Sequence, residues 1–378
     1  MSAAEASGDE HAGRLIHSLR RRFGDDVRFV GAAGPHMAAA GCEVLADFTV
    51  HASMLLEPIL RLPYWLRAIA RLKRQIAEMR PDVHIPVDSP ALNWHLIKAA
   101  RKAGAMVVYY IAPQVWAWAP WRVRKLARRT DHVACILPFE QRYLRDRGVA
   151  ATFVGHPLLD ALPPRPDPLS DLAGAWADGD WRIAMLPGSR RGEIKANVRA
   201  LHVSADLIRR HWPAARCLLA VRNAADADTV TRACRGELPR NTEVVVGRTA
   251  DVLSRAHFAV AKSGTNLLQA AHFGVPLVTF YRAGRLKYYL LGRWLIRTPH
   301  LCLVNILAGR RIVPELMPWY GSARQLSSMV IDTMGDLGFL FEARRGLLEV
   351  ADSLRAPGGG SASDNMADLV GDLLERRR

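Results

Sequence analysis

Short runs of apolar and β-branched residues alternate along this chain with longer stretches in which apolar residues recur every three or four positions. Val27–Val30, Val83–Val87, Met106–Ile111, Val133–Leu137 and Ala151–Val154 read as strands buried on both faces. Tyr64–Met79 and Asn93–Ala103 carry helical spacing between them. The alternation restarts after Pro163, Pro164, Pro166 and Pro168, with Ile183–Leu186, Cys217–Val221, Val244–Val246, Ala259–Ala261 and Leu277–Tyr281 as a second set. Such alternation requires crossover connections, and so parallel sheets covered by helices. The fold class read from this is α/β, with two doubly wound, Rossmann-like domains at residues 1–162 and 163–339, the helical residues 340–378 rejoining the first. The 378 residues suit two domains at ~150 residues each.

Ligands of open parallel sheets lie outside the carboxyl ends of the strands. The site is therefore expected in the cleft between the two domains. A doubly wound domain normally opens with a central strand feeding a glycine-containing loop. Here the loop Glu5–Asp9 is preceded by Met1–Ala4 alone, so the first strand of the N-terminal domain is expected to be missing and the reading frame to begin upstream.

Charge narrows the function. Of a formal +16, residues 61–129 carry +11 and residues 282–324 carry +7, leaving −2 for the remainder. A uniformly basic coat is excluded, and two local anion-facing regions are implied. The five cysteines lack metal-ligand spacing and read as reduced thiols of a cytosolic protein. The longest uncharged stretches, 103–121 and 263–281, are interrupted by Pro, Gln, Asn or Gly and do not read as membrane spans. Trp and Arg interleave over 116–129, but no nucleic-acid motif accompanies them, so no nucleic-acid partner is expected.

Leu186-Pro187-Gly188-Ser189-Arg190 follows one strand, and Ser263-Gly264-Thr265 another. A Gly-Ser turn at a helix start offers backbone N–H groups to phosphate, and Arg190 adds a charged donor. Two such turns in one domain point to a nucleoside diphosphate; neither a Walker lysine nor a full GxGxxG is present. Asp88 closes Val83–Val87, where a carboxylate can serve as a general base or cap the next helix. His156 after Ala151–Val154 is open in the same way, between structural and catalytic use. Asp226-Ala227-Asp228 mimics a metal-binding DxD but opens a helical pattern and reads as capping. Residues 54–66, MLLEPILRLPYWL, are broken by Pro58 and Pro63 and followed by Arg67, Arg71, Lys73 and Arg74. Met54, Leu55, Leu56, Ile59, Leu60 and Trp65 beside Arg67 and Arg71 suit insertion into an anionic bilayer interface, a core helix with a snorkelled edge being the other reading.

In this order the motifs resemble the lipid-A-disaccharide synthase family, inverting glycosyltransferases of the two-domain GT-B fold. The resemblance rests on Glu5-Ala6-Ser7-Gly8-Asp9, residues 30–35, Pro81–Val83 with Asp88 and Asn93, residues 112–118 around Trp116, and residues 122–125 and 137–140. It continues through Phe153–Pro157, Leu186–Arg190 with Glu193, Ser263–Thr265, Tyr281-Arg282, Asn305–Arg310 and Pro314–Leu316. It covers residues 5–316. It implies transfer of the sugar of UDP-2,3-diacylglucosamine to the 6-hydroxyl of 2,3-diacylglucosamine 1-phosphate, in lipid A biosynthesis, with UDP released and neither metal nor cofactor. Asp88 would be the catalytic base. Glu5, Ser7, Gly8, Asp9, Asn93, Trp116 and His156 would bind substrate in the first domain. Ser189, Arg190, Glu193, Ser263, Gly264, Thr265, Gln269, Arg282, Asn305, Arg310 and Glu315 would do so in the second. Gln269 stands where the family has a ribose-binding glutamate, and Ala91 where it has a second aspartate. The implied partners are a UDP-sugar donor, a lipid monosaccharide phosphate acceptor and the inner face of the cytoplasmic membrane, with a homodimer left open. A UDP-N-acetylglucosamine 2-epimerase on the same fold, or an inactive UDP- or lipid-binding paralogue, is the alternative.

Overall fold

The structure is a computed structural model and describes residues 1–49, 62–117, 120–167, 169–234, 236–281, 299–318 and 322–377. The chain divides into two units, Met1–Asp160 with Leu354–Arg378, and Ala161–Ser353. The helix Leu337–Ser353 lies in the second unit, so the return to the first begins at Leu354 rather than at residue 340.

In the first unit β1 (Val30–Ala32) pairs in parallel with β2 (Glu43–Ala46). A second parallel set runs β3 (Val83–His84), β4 (Met106–Tyr110), β5 (His132–Cys135) and β6 (Ala151–Phe153). Residues 1–3 join the two sets. The Met1 ammonium donates to the Val30 carbonyl at 2.7 Å, and the Ser2 and Ala3 N–H groups donate to Ile85 and Ala32 at 3.1 and 3.0 Å. The central position expected to be empty thus holds a stub, too short to form a strand but bridged to both neighbours. Burial of the Met1 ammonium depresses its pKa.

Alternation along β4 sends adjacent tyrosines to opposite faces. Tyr110 packs with Leu15, Ile16 and Leu19 of the helix Ala6–Phe23 and with Met366 and Val370 of the helix Ala362–Glu375. Tyr109 packs with Leu72, Leu96 and Leu126 on the other face. The C-terminal helix is also pinned by Arg22, which reaches Asp368 at 2.9 Å and Asp372 at 3.4 Å.

The second unit has one six-stranded parallel sheet, built from β7 (Arg182–Leu186), β8 (Arg216–Val221), β9 (Thr242–Val246), β10 (Phe258–Lys262), β11 (Leu277–Phe280) and β12 (Glu315–Leu316). Its order is β12-β11-β10-β7-β8-β9. Trp181, Ile183, Met185, Phe258 and Val260 form its core with Ile194 and Leu201 of the helix Arg191–His211. The winding reverses between β7 and β10, so the turns after these two strands flank one crevice. In the first unit it reverses between the stub and β3, so the start of the helix Ala6–Phe23, where the sequence predicts a loop over residues 5–9, and the turn at Asp88 flank the equivalent crevice. Among the described residues, no helix is long and apolar enough to cross a membrane.

Candidate functional site

The turn after Val87 is strained. Asp88 and Ser89 both have φ of +46°, a left-handed conformation that a side chain disfavours. Neighbours hold it there. The Asn93 amide nitrogen donates to the Asp88 carbonyl at 2.6 Å and to Val87 at 3.2 Å, while its oxygen accepts from the Ser2 hydroxyl at 2.6 Å. The Tyr109 hydroxyl donates to the Asp88 carbonyl at 2.8 Å, and the Ser89 hydroxyl accepts from the Ala4 N–H at 3.1 Å. Ser89 precedes the helix Pro90–Lys102 as N-cap and makes no side-chain cap bond, so capping does not account for Asp88.

The Asp88 carboxyl is pushed up to about 6, first by burial and then by the nearby negative charge of Glu5, with the Ser89 N–H opposing both. Gly8 brings the first turn of the helix Ala6–Phe23 against this turn: a Cβ there would lie 3.7 Å from the Val87 carbonyl and 3.9 Å from the Asp88 Cβ. Asp88, Glu5 and Gly8 therefore meet at one place, with the exposed Ser7 in the same helical turn as Gly8.

Other first-unit residues named from the sequence hold the frame. Asp9 is fully buried and accepts from the N–H groups of Gly34, His36 and Met37 at 2.7, 2.8 and 3.2 Å, so its carboxylate anchors the 34–37 turn rather than a substrate. Asn93 is fully buried and spent on the Asp88 turn. The Trp116 indole N–H donates to Glu140 at 2.8 Å, and Glu140 also accepts from Ile136 and Leu137, which fixes the start of the helix Pro138–Arg145. His156 is buried, its Nδ1 accepts from the Leu158 N–H at 3.2 Å, and burial lowers its pKa to about 3, so it is a neutral packing residue.

In the second unit the two phosphate-type turns do meet. Gly188, at φ +115°, turns the chain so that the Ser189 and Arg190 N–H groups point at Glu193, donating to its Oε2 at 3.2 and 3.4 Å. The Arg190 guanidinium donates to Oε1 at 3.4 Å. Asn197 donates to the Pro187 carbonyl at 2.9 Å and secures the turn. From β10, the Lys262 ammonium reaches Glu193 Oε1 at 3.0 Å and lies 5.1 Å from the Tyr281 ring centre. Burial alone would raise the Glu193 pKa; Lys262 and the two backbone donors outweigh it and hold the carboxyl low. Ser263, Gly264 and Thr265 stand beside Lys262, whose Nζ is 4.0 Å from a Cβ built on Gly264. Gln269 follows in the helix Asn266–His272 with its Oε1 buried and without a hydrogen-bond partner among the described residues.

Three further expectations are corrected. Asn305 is fully buried and clamps its own loop, accepting from Ile312 and Val313 at 2.9 and 3.1 Å and donating to the Val313 carbonyl at 3.0 Å. Glu315 accepts from the Leu301 and Cys302 N–H groups and sits 3.6 Å from His300, so it too holds a loop. The helix Ala224–Ala233 is capped by Asn223, whose side chain accepts from the Asp226 N–H at 2.9 Å, and not by the aspartates of the DxD run. Arg310 is exposed and 3.8 Å from Glu349. Arg282 lies outside the described residues.

The membrane segment is described only from Leu62 onward, so Met54, Leu55, Leu56, Ile59 and Leu60 lie outside the described residues. Trp65 stacks on Phe48 at 4.9 Å and belongs to the core side of its helix, against expectation. Leu66, 56% exposed, stands on the outer side with Arg67 and Arg71. Trp121, 61% exposed, adds an aromatic next to Arg122 and the basic helix Val123–Arg129. The sequence reading missed Lys262 and Trp121, and it held Leu66 within the 54–66 segment without singling it out. Lys262 was legible as the last residue of a strand whose carboxyl end forms the site. Exposure of Leu66 and Trp121 depends on packing that no local pattern encodes.

The family of lipid-A-disaccharide synthetases matches residues 1–329. A lipid-A-disaccharide synthase from Geobacter metallireducens is 36% identical over 100% of this chain and 97% of its own length. One from Anaeromyxobacter sp. strain K is 36% identical over 94% and 93%, and one from Nitrosococcus oceani 34% over 99% and 95%. Among solved structures, an S. aureus MnaA–UDP complex aligns with a TM-score of 0.62 at 12% identity, covering 97% of this chain and 95% of that one. The glycosyltransferase of kitacinnamycin gives 0.61 at 18%, covering 98% and 97%, and both likenesses speak to the fold, two Rossmann-like domains of the GT-B type. By the extent and identity of these matches, the chain belongs to the lipid-A-disaccharide synthase family of glycosyltransferases.

Proposed function

We propose that the protein transfers a diacylglucosamine unit from its UDP conjugate to the 6-hydroxyl of diacylglucosamine 1-phosphate, forming a β-1,6-linked disaccharide phosphate. The observation that carries this is the Asp88 carboxyl, held on a strained turn at the carboxyl end of the sheet and poised at about 6. A base with that affinity is largely ionised at neutral pH yet still accepts a proton in the transition state. Asp88 takes the hydroxyl proton as the acceptor oxygen attacks the anomeric carbon, and the bond from that carbon to the UDP oxygen breaks. The diphosphate gains negative charge as it leaves. The Ser189 and Arg190 N–H groups, the Arg190 guanidinium and the start of the helix Arg191–His211 form a positive cradle for it in the second unit. The buried Gln269 oxygen, unpartnered among the described residues, would accept from a ribose hydroxyl.

Both substrates carry acyl chains, so the reaction belongs at a bilayer surface. Leu66 and Trp121 with the surrounding arginines give the first unit an apolar and basic outer face suited to an anionic leaflet. The deciding experiment is turnover of the UDP-diacylglucosamine and monosaccharide phosphate pair by the wild type and by Asp88→Asn. Loss of ~10²–10⁴-fold in the variant with UDP binding retained is expected; wild-type turnover by the variant would refute the assignment.

A further inference from the structure

Four hydrogen-bond donors converge on the carboxylate of Glu193. They are the N–H groups of Ser189 and Arg190 at 3.2 and 3.4 Å, the Arg190 guanidinium at 3.4 Å and the Lys262 ammonium at 3.0 Å. This is a complete anion cradle, and its occupant is a side chain of the protein itself. Two backbone donors, a guanidinium and an ammonium around two oxygens is the arrangement that phosphate oxygens accept.

Lys262 is the element that helix geometry does not supply. It comes from the other side of the switch point, at the end of β10, and its side chain is only 13% exposed. The Tyr281 face beneath it and Glu193 beside it hold the ammonium at the junction of the two turns, near Gly264 as well as Glu193. Lysine is a compact point charge on a flexible stem and can pass from one anion to another without losing its place.

We propose that Lys262 is a ligand of the leaving diphosphate and that Glu193 is its stand-in, an internal carboxylate that keeps the four donors converged until a nucleoside diphosphate displaces it. The proposal rests on the reading of the second unit as the UDP-binding unit and adds a residue and an exchange to it. Glu193 lies at the third position of the helix Arg191–His211, so rotation of its side chain away from the turn frees the Ser189 and Arg190 N–H groups together with Lys262. Binding thus exchanges one anion for another at the same donors. Affinity for the nucleotide is reduced by whatever the stand-in contributes.

The experiment is a double-mutant cycle on UDP affinity in the full-length protein, read by calorimetry, with uridine as the probe lacking phosphate and thermal melts as the control for folding. Lys262→Met is expected to weaken UDP ~10- to 100-fold, the usual worth of a charge-assisted hydrogen bond, and to leave uridine unchanged. Glu193→Gln is expected to tighten UDP, since the competing charge is gone while the side-chain shape remains. The double variant decides the case: it is expected to stay at least ~10-fold weaker than Glu193→Gln alone. If the double variant binds UDP as Glu193→Gln does, Lys262 serves only to neutralise Glu193 and the proposal is overturned. Should Lys262→Met fail to fold, Lys262→Arg in its place is expected to keep affinity within a few-fold of wild type; a loss as large as that expected for methionine overturns the proposal. A wild type that binds UDP with a Lys262→Met variant that binds it equally well refutes this inference alone. A wild type that binds no UDP refutes the reading beneath it.

Discussion

Replacing Asp88 by Asn is expected to stabilise the fold while it abolishes turnover. The Asp88 carboxyl sits at about 6 against an ordinary 3.8, so the folded protein holds that proton more tightly than the unfolded chain. A raised carboxylate pKa means that ionisation costs the native state. The cost is absent well below 3.8, grows as pH rises toward 6, and is fully present above it. A gap of about two units corresponds to about 3 kcal/mol as an upper figure. Asparagine keeps the shape and an acceptor for the Ser89 N–H but carries no charge, so it is relieved of that cost. Urea melts of wild type and Asp88→Asn should show the variant more stable by up to ~3 kcal/mol at about pH 8 and nearly equal at about pH 4. Turnover should run the other way, with wild-type kcat/KM falling about tenfold per unit below an acidic limb near 6 and the variant flat and low. A variant that is less stable at neutral pH, or whose gain is the same at both pH values, would refute the claim that burial and Glu5 hold this carboxyl high.

Glu5→Gln removes the second cause of that shift, so the acidic limb of kcat/KM should move to lower pH; a limb that stays in place would show that burial alone sets it. Asn305→Ala breaks three hydrogen bonds at a fully buried site and should cost ~2–4 kcal/mol in denaturant melts, with donor KM unchanged in the folded protein. Leu66→Ser together with Trp121→Ser should reduce flotation with anionic vesicles and leave turnover of detergent-dispersed substrates unaltered; equal flotation would exclude this face as the docking surface.

The strand–helix rhythm was legible because strands buried on both faces have little choice of residue. The runs Met106–Ile111 and Ile183–Leu186 are apolar throughout, and each lies within one residue of the observed strand, Met106–Tyr110 and Arg182–Leu186. The misses have the opposite character. β2, Glu43–Ala46, lies at the sheet edge with its first two residues exposed, and β12 is two residues long, so neither needs an apolar run. Lys262 was missed because its meaning depends on a partner 69 positions away, Glu193, across the switch point. Trp65 was misplaced because a tryptophan near a basic row looks alike whether it faces lipid or, as here, Phe48.

The residues that carried the resemblance divide by what their atoms are doing. In Asp9, Asn93 and Asn305 the buried polar groups are committed to backbone or, for the Asn93 oxygen, to the Ser2 hydroxyl, and their loss would change the shape of a turn. In the proposed reading Asp88 and Gln269 keep chemistry to offer, and Ser189 and Arg190 do so once Glu193 leaves their donors. A motif records both kinds alike, since a displaced turn disables a site as surely as a missing base. The two units then solve one problem in opposite ways. At its switch point the second unit, read as the UDP-binding unit, needs backbone N–H groups and no side chain, so the turn can use Gly188, which reaches φ +115° without a steric penalty. With Asp88 as the base proposed above, the first unit needs a carboxylate at that place, so glycine is excluded and the left-handed strain of Asp88 and Ser89 must be borne, at roughly 1–3 kcal/mol each. Asn93 and Tyr109 are the counterweight, with hydrogen bonds to the Asp88 carbonyl at 2.6 and 2.8 Å. On the proposed assignment of Asp88, the buried Asn93 amide steadies a base at a turn where glycine would be easier.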